Sequence, residues 1–202
     1  GDWGWGQEKV PNPSHVGGPI RFGRSVALSA DGNTLAAGAP VEASDGSSKT
    51  NISMRSAGAA YVFVRTGSGW TERAYLKAST PGNYDLFGSS VALSADGSTV
   101  AVGAEWEDSA AKGIEGDQSD SINFNGGAVY LFAQTNGAWT QQAYFKPSNT
   151  RADQAFGRPA LSGDGTTLAV GSKWEDGLAT GVGGDQDNVG ASSVNTGAVY
   201  LY

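Results

Sequence analysis

Two long polar segments of the sequence repeat a group of residues that could bind a ligand. Trp-Glu-Asp stands at residues 106–108 and again at residues 174–176. An indole ring can stack on the apolar face of a sugar, and a nearby carboxylate can accept hydrogen bonds from sugar hydroxyls. We therefore predict ligand contacts, with a glycan or a surface protein as the partner, for Trp106, Glu107, Asp108, Trp174, Glu175 and Asp176.

The same two segments share a second motif that could hold a cation. Gly-Asp-Gln stands at residues 116–118 and 184–186, and more carboxylates follow. Calcium takes about six to eight oxygen ligands, several of them carboxylates. No cofactor is certain from these residues, and Ca²⁺ is the cation we expect at Asp117 with Asp120 and at Asp185 with Asp187. The alternative for both motifs is structural: the tryptophans pack between sheets and the acids cap turns.

These segments occupy equivalent places in an internal repeat. FGRSVALSADG begins at Phe22, returns as FGSSVALSADG at Phe87, and returns one residue shorter as FGRPALSGDG at Phe156. An apolar run, a long polar segment and GAAYVF, GAVYLF or GAVYLY follow each copy. The period is roughly 65 to 70 residues, which is typical of a repeat architecture.

Each unit contains four predicted strands. Ser-x-Asp-Gly favours a hairpin turn, because Asp and Gly tolerate positive φ. The GAVYLF run is rich in β-branched and aromatic residues, and the Trp-led segment after it alternates as an outer strand does. We predict an all-β, β-propeller-like array of three four-stranded antiparallel blades. A parallel β-helix is the main alternative, and the three sheets could also pack as a compact trefoil that is not a propeller. Lys77 and Lys146 follow the outer strands, where we expect solvated side chains rather than pairs with acids.

The sequence divides as one repeat domain. Residues 1–21 form an outer strand and linker, and the units are 22–86, 87–155 and 156–202, the last without its outer strand. Trp5 precedes Phe22 by the same 17 residues that separate Trp70 from Phe87. The N-terminal strand is therefore expected to complete the last blade of its own or a neighbouring chain. Propellers have about four or more blades, so we expect a homo-oligomer (a dimer or trimer) or part of a longer chain.

The repeated motifs resemble the FG-GAP repeat, the blade unit of integrin α-chain propellers and of many bacterial surface proteins. Phe22-Gly23 with Gly38-Ala39-Pro40 is the fullest copy, and the resemblance covers residues 5–202. It implies an extracellular or cell-surface β-propeller used in adhesion or ligand binding. Many members carry a calcium loop of several aspartates between the first two strands. Here each connector has one carboxylate, such as Asp31, so we expect plain hairpin turns.

Composition excludes several classes of function. The chain has no cysteine, which excludes disulfides, thiol catalysis and Cys-ligated metals. A net charge of −7 argues against nucleic acid, and ten of the 20 acidic residues lie in residues 104–121 and 172–188. No apolar run is long enough for membrane insertion. His15 is the single histidine, and no nucleophile elbow or phosphate loop accompanies it.

These observations predict a recognition or adhesion module that is not an enzyme. The acidic, Trp-containing segments would bind the ligand outside the cell. A purely structural or assembly module of a larger surface protein or fibre is the alternative. A glycosidase that uses Glu107 and Asp108 is the least favoured, because adjacent residues on a loop point apart.

Overall fold

A computed structural model describes residues 8, 10, 12–14, 18–67, 69–185 and 195–202. These residues form eleven strands and no helix. The strands are β1 (Ser25–Leu28), β2 (Thr34–Ala39), β3 (Ala59–Thr66), β4 (Gly69–Leu76), β5 (Phe87–Leu93), β6 (Thr99–Ala104), β7 (Ala128–Thr135), β8 (Ala138–Phe145), β9 (Phe156–Leu161), β10 (Leu168–Ser172) and β11 (Ala198–Leu201). No helix in the described ranges is long and apolar enough to cross a membrane.

The strands form three antiparallel sheets, one for each repeat unit. Sheet one has the order β1-β2-β3-β4, sheet two β5-β6-β7-β8 and sheet three β9-β10-β11. This arrangement confirms the all-β fold with blade-like antiparallel sheets. The sheets do not close into a ring, and within the described residues β11 pairs only with β10.

The predicted N-terminal strand falls mostly outside the described residues, and Trp5 is among those not described. Its described part lies against sheet one. Glu8 accepts a hydrogen bond of 3.2 Å from the indole nitrogen of Trp70, and Val10 packs on the apolar cluster of that sheet. The expected closure of sheet three is therefore not made by the part of the segment that the structure describes.

The Ser-x-Asp-Gly connectors form the hairpin turns that the sequence predicts. In the first, Asp31 accepts hydrogen bonds from the Ser29 hydroxyl and from the backbone N–H of Asn33. The Ser29 hydroxyl bond and the Asn33 bonds favour the ionised form and lower the pKa of Asp31. Asp96 and Asp164 make the same contacts in the other two turns. Each of these carboxylates thus stabilises its own turn through hydrogen bonds.

The sheets stack face to face, and the phenylalanines of the second and third Phe-Gly motifs lie in the contacts between them. Phe87 packs edge-on against Tyr130 with ring centroids 5.4 Å apart, in the apolar cluster between sheets one and two. Phe156 packs on Tyr200 at 5.5 Å between sheets two and three. The repeated apolar residues are therefore used to join neighbouring sheets as well as to build each one.

The glycines of the second strands allow this close stacking. A Cβ on Gly103 would lie 1.9 Å from the carbonyl oxygen of Gly157 in the next sheet. Gly38 meets the carbonyl oxygen of Gly88 in the same way, also at 1.9 Å. The corresponding glycine of sheet three, Gly171, has no neighbour closer than 3.6 Å to such an atom. At Gly171, sheet three therefore has the open space that Gly38 and Gly103 use to contact the next sheet.

Candidate functional site

The long polar segments and the linkers between sheets lie at one end of the stack. Antiparallel sheets place alternate connections at opposite ends, so these connections share an end and the hairpin turns share the other. We call residues 40–58, 77–86, 105–127, 146–155 and 173–185 the loop end. Hydrogen bonds of 3.2 Å from the backbone N–H of Trp106 to Asp85 and from that of Trp174 to Gln154 tie each loop to its linker.

Two tryptophans are exposed at the loop end, as required for ligand contact. Trp106 is 38% and Trp174 is 40% exposed, whereas Trp70 and Trp139 pack against the sheets. The Lys173 ammonium lies 4.2 Å from the centroid of the Trp174 ring. Trp106 and Trp174 begin the same repeated motif, so the stack presents two similar aromatic surfaces. Further apolar side chains exposed at this end are Ile52, Ile114, Ile122, Phe124, Leu178 and Val182.

The glutamates of the Trp-Glu-Asp motifs point into the protein. Glu107 is only 4% exposed, and its carboxylate accepts a 2.7 Å hydrogen bond from the buried Lys146 ammonium. Glu175 is also 4% exposed and accepts a hydrogen bond from the side-chain amide of Asn149. These two side chains hold the loops in place. The tryptophans and aspartates remain the candidate ligand contacts.

Two lysines at the loop end are buried in ion pairs, contrary to the expectation from sequence. Lys146 pairs with Glu107 at 2.7 Å, and Lys77 pairs with the fully buried Glu42 at 3.0 Å. The expectation of solvated lysines is therefore wrong. Their recurrence together with a glutamate in both units is the sequence signal that could have identified these pairs. Burial lowers the pKa of Lys146, while the Glu107 carboxylate opposes that shift.

The aspartates of the two motifs clamp the long loops and keep one oxygen available. Asp108 accepts a 2.8 Å hydrogen bond from the backbone N–H of Asn125, which closes its loop. Asp176 accepts the equivalent bond of 2.9 Å from Asn195. Within the described ranges, the second carboxylate oxygen of each has no hydrogen-bond partner. Each aspartate therefore offers one acceptor two residues after an exposed indole.

A polar pocket opens between the loop of unit two and the linker before β5. Its volume is about 310 Å³, and Asp85, Asp108, Gln118 and Asp120 line it. Burial raises the pKa of Asp85 to about 7, and the nearby carboxylates of Glu107 and Asp108 act in the same direction. Asp85 therefore holds a proton for part of the time at neutral pH. The pocket offers hydrogen-bond donors and acceptors next to the loop that carries Trp106.

Two of the residues predicted to hold a cation, Asp117 and Asp120, accept hydrogen bonds within their own loop. Asp117 caps its own turn through the backbone N–H of Ser119 at 2.8 Å, and Asp120 accepts a bond from Ala110 at 2.8 Å. Asp187 and His15 lie outside the described residues. Among the described residues, no group of three or more acidic or histidine side chains is placed to hold a metal ion. Calcium binding stays a prediction.

Comparison with known families identifies one repeat. Residues 70–132 match the FG-GAP repeat, over about a third of the chain. The match starts at Trp70 in β4 and ends at Phe132 in β7, so the family's unit crosses from sheet one to sheet two. The resemblance to FG-GAP repeats is thus confirmed there. Repeats of this kind typically build β-propeller modules of extracellular or surface proteins. No curated protein matches the chain.

Proposed function

We propose that this chain, which carries an FG-GAP repeat across its first two sheets, is a non-catalytic extracellular module that binds a glycan at its loop end. The observation that supports the proposal is the equivalent exposure of Trp106 and Trp174, each followed by an aspartate with an available oxygen. The indole ring would stack on the C–H face of a sugar. The Asp108 or Asp176 oxygen would accept a hydroxyl hydrogen bond.

The repetition of the site fits a ligand with repeated units. A single exposed indole with one acceptor gives a shallow, weak site. Trp106 and Trp174 belong to neighbouring sheets, and packed sheets are about 10 Å apart, so one extended glycan could contact both. Two linked contacts raise the overall affinity without any new interaction, because the second binding event is intramolecular.

A specific observation also favours assembly as a second function. Val26 and Leu28 are 62% and 57% exposed on sheet one, at the positions where Val91 and Leu93 of sheet two pack in the core. Val199 and Leu201 are similarly exposed on sheet three. We propose that further blades, from a longer chain or from another copy, cover these outer faces.

A glycan-array screen of the purified chain tests the recognition proposal. The screen is run in calcium and again with a chelator. We expect reproducible binding to one class of sugar. A loss of signal with chelator would support the predicted cation at the acidic loops, and an unchanged signal would contradict it. A blank array under both conditions would contradict glycan recognition and leave assembly as the function.

A further inference from the structure

Sheet three contains an incomplete copy of the buried ion pair found in the other two sheets. Glu42 is paired with Lys77 and Glu107 with Lys146. Glu175 holds the equivalent position and is equally buried, but no ammonium group contacts it within the described ranges. Its oxygens accept hydrogen bonds from the Asn149 amide at 2.9 Å and from the backbone N–H of Gly177 at 2.7 Å. A buried carboxylate gains strongly from a cation, so the position is favourable for one.

The acceptors that would surround such a cation are present. In sheet one the Lys77 ammonium donates to Glu42 at 3.0 Å and to the carbonyl oxygens of Ser44 at 2.7 Å and Gly58 at 2.6 Å. By position in the repeat, the counterparts in unit three are Glu175, Gly177 and Gly197. All three line a single groove of about 780 Å³. The groove therefore has the acceptor set of a lysine site.

The groove lies along the open edge of β11. Tyr200, Leu201 and Tyr202 of this edge line it together with the three acceptors. In sheet two the corresponding place is filled by β8, which pairs with β7 and is followed directly by Lys146. In sheet one β4 fills it, and Lys77 follows. In both complete sheets, one added strand thus supplies the backbone hydrogen bonds and the ammonium together.

We propose that the edge of β11 binds an extended, lysine-bearing polypeptide segment, which adds as a fourth strand and places its ammonium group on Glu175, Gly177 and Gly197. The segment resembles the outer strands of this chain, with an aromatic residue, an apolar residue and then lysine. Alignment of the N-terminal segment with these strands places Asn12 where they have Lys77 and Lys146. The N-terminal segment of a second copy would therefore place no lysine at this position, and the acceptor set favours a lysine-bearing strand as the occupant.

A peptide-binding experiment with the full 202-residue chain tests this proposal. The probe is a peptide of residues 138–148, AWTQQAYFKPS, with blocked ends. The controls are the same peptide with Lys146→Asn and the peptide of residues 5–14, WGQEKVPNPS. We expect the lysine peptide to bind about tenfold or more tightly than either control, because a charge-assisted hydrogen bond is lost in both. Isothermal titration calorimetry measures the three affinities.

A variant of the chain tests whether Glu175 is responsible for the preference for the lysine peptide. Glu175→Gln keeps the side-chain shape and removes its charge, and we expect it to abolish the preference for the lysine peptide. Near-ultraviolet circular dichroism checks that the variant is folded, and the comparison of peptides on the unmodified chain needs no variant. Absent binding, or equal binding of the lysine and asparagine peptides, would overturn the proposal. Tighter binding of the 5–14 peptide would overturn it as well and would assign the edge to a second copy. These outcomes are independent of the glycan array.

Discussion

At the scale of single residues, adjacent side chains of the Trp-Glu-Asp motif differ in burial. Trp106 is exposed, while the next residue, Glu107, is buried and paired with Lys146. The pair joins residues 39 positions apart, so it fixes the long loop to the linker after β8. The buried Glu107 thus helps to fix the position of Trp106 at the loop end.

Removing one partner of this pair should destabilise the protein strongly. Lys146→Met leaves the Glu107 carboxylate buried without a cation, and we expect a loss of about 3–5 kcal/mol in the free energy of unfolding. The double variant Glu107→Gln/Lys146→Met removes the uncompensated charge and should lose much less. Urea denaturation of the two variants measures both values. Equal losses would show that the charge itself is unimportant there.

Asp85 should make stability depend on pH. The pKa of Asp85 is about 7 in the folded protein and 3.8 without its surroundings, so between these values the folded state binds a proton that the unfolded state has released. The free energy of unfolding therefore falls as pH rises through this window. Asp85→Asn removes the effect, and Gln154 already places an amide at the same point of the next linker.

Urea denaturation between pH 4.5 and 8.5 checks this prediction. Each pH unit between the two pKa values corresponds to about 1.4 kcal/mol, so the variant should be more stable than the original chain at pH 8 by about 2–4 kcal/mol. At pH 4.5 the difference should be small. Parallel stability profiles for the two proteins would contradict the raised pKa.

At the scale of elements, the repeated strands are joined by close contacts between sheets. Gly103 of β6 faces the carbonyl of Gly157 in β9, and Ser90 of β5 donates a hydrogen bond to the same carbonyl. Gly38 and Ser25 make the same contacts one sheet earlier. The stack is therefore built from one repeated interface.

A matched pair of glycine substitutions tests this interface. Gly103→Ala places a methyl group 1.9 Å from a backbone oxygen, and we expect a loss of about 1–3 kcal/mol or more. Gly171→Ala occupies the equivalent position of sheet three, where the space is open, and should change stability by less than about 0.5 kcal/mol. Thermal denaturation compares the two variants. Similar losses in both would show that sheet three is covered on this face.

The strand positions could be predicted from sequence because turn residues and apolar runs act locally. Ser29, Asp31 and Gly32 specify a hairpin without help from the rest of the chain. The direction of Glu107 could not be predicted in this way, because it depends on Lys146, which lies 39 positions further along the chain. The exposure of Trp106 agrees with the sequence hypothesis of a ligand contact, which stays a prediction.

At the scale of the whole molecule, the stack has a loop end and two outer faces. The loop end carries both exposed tryptophans, whereas the outer faces carry Val26, Leu28, Val199 and Leu201. Ligand binding and addition of further blades would therefore use separate surfaces. Neighbouring modules could assemble side by side while their loop ends remain accessible to the same ligand.

The most direct test of recognition at the loop end is a titration with the glycan that gives the strongest array signal. The proteins compared are the original chain, the double variant Trp106→Ala/Trp174→Ala, and Trp139→Ala as a packed-tryptophan control. We expect the double variant to lose at least about tenfold in affinity with an unchanged melting temperature, since both indoles are partly exposed. Trp139→Ala should lower stability by about 3 kcal/mol and keep its affinity. Full affinity in the double variant, or its unfolding, would contradict glycan binding by Trp106 and Trp174 at the loop end.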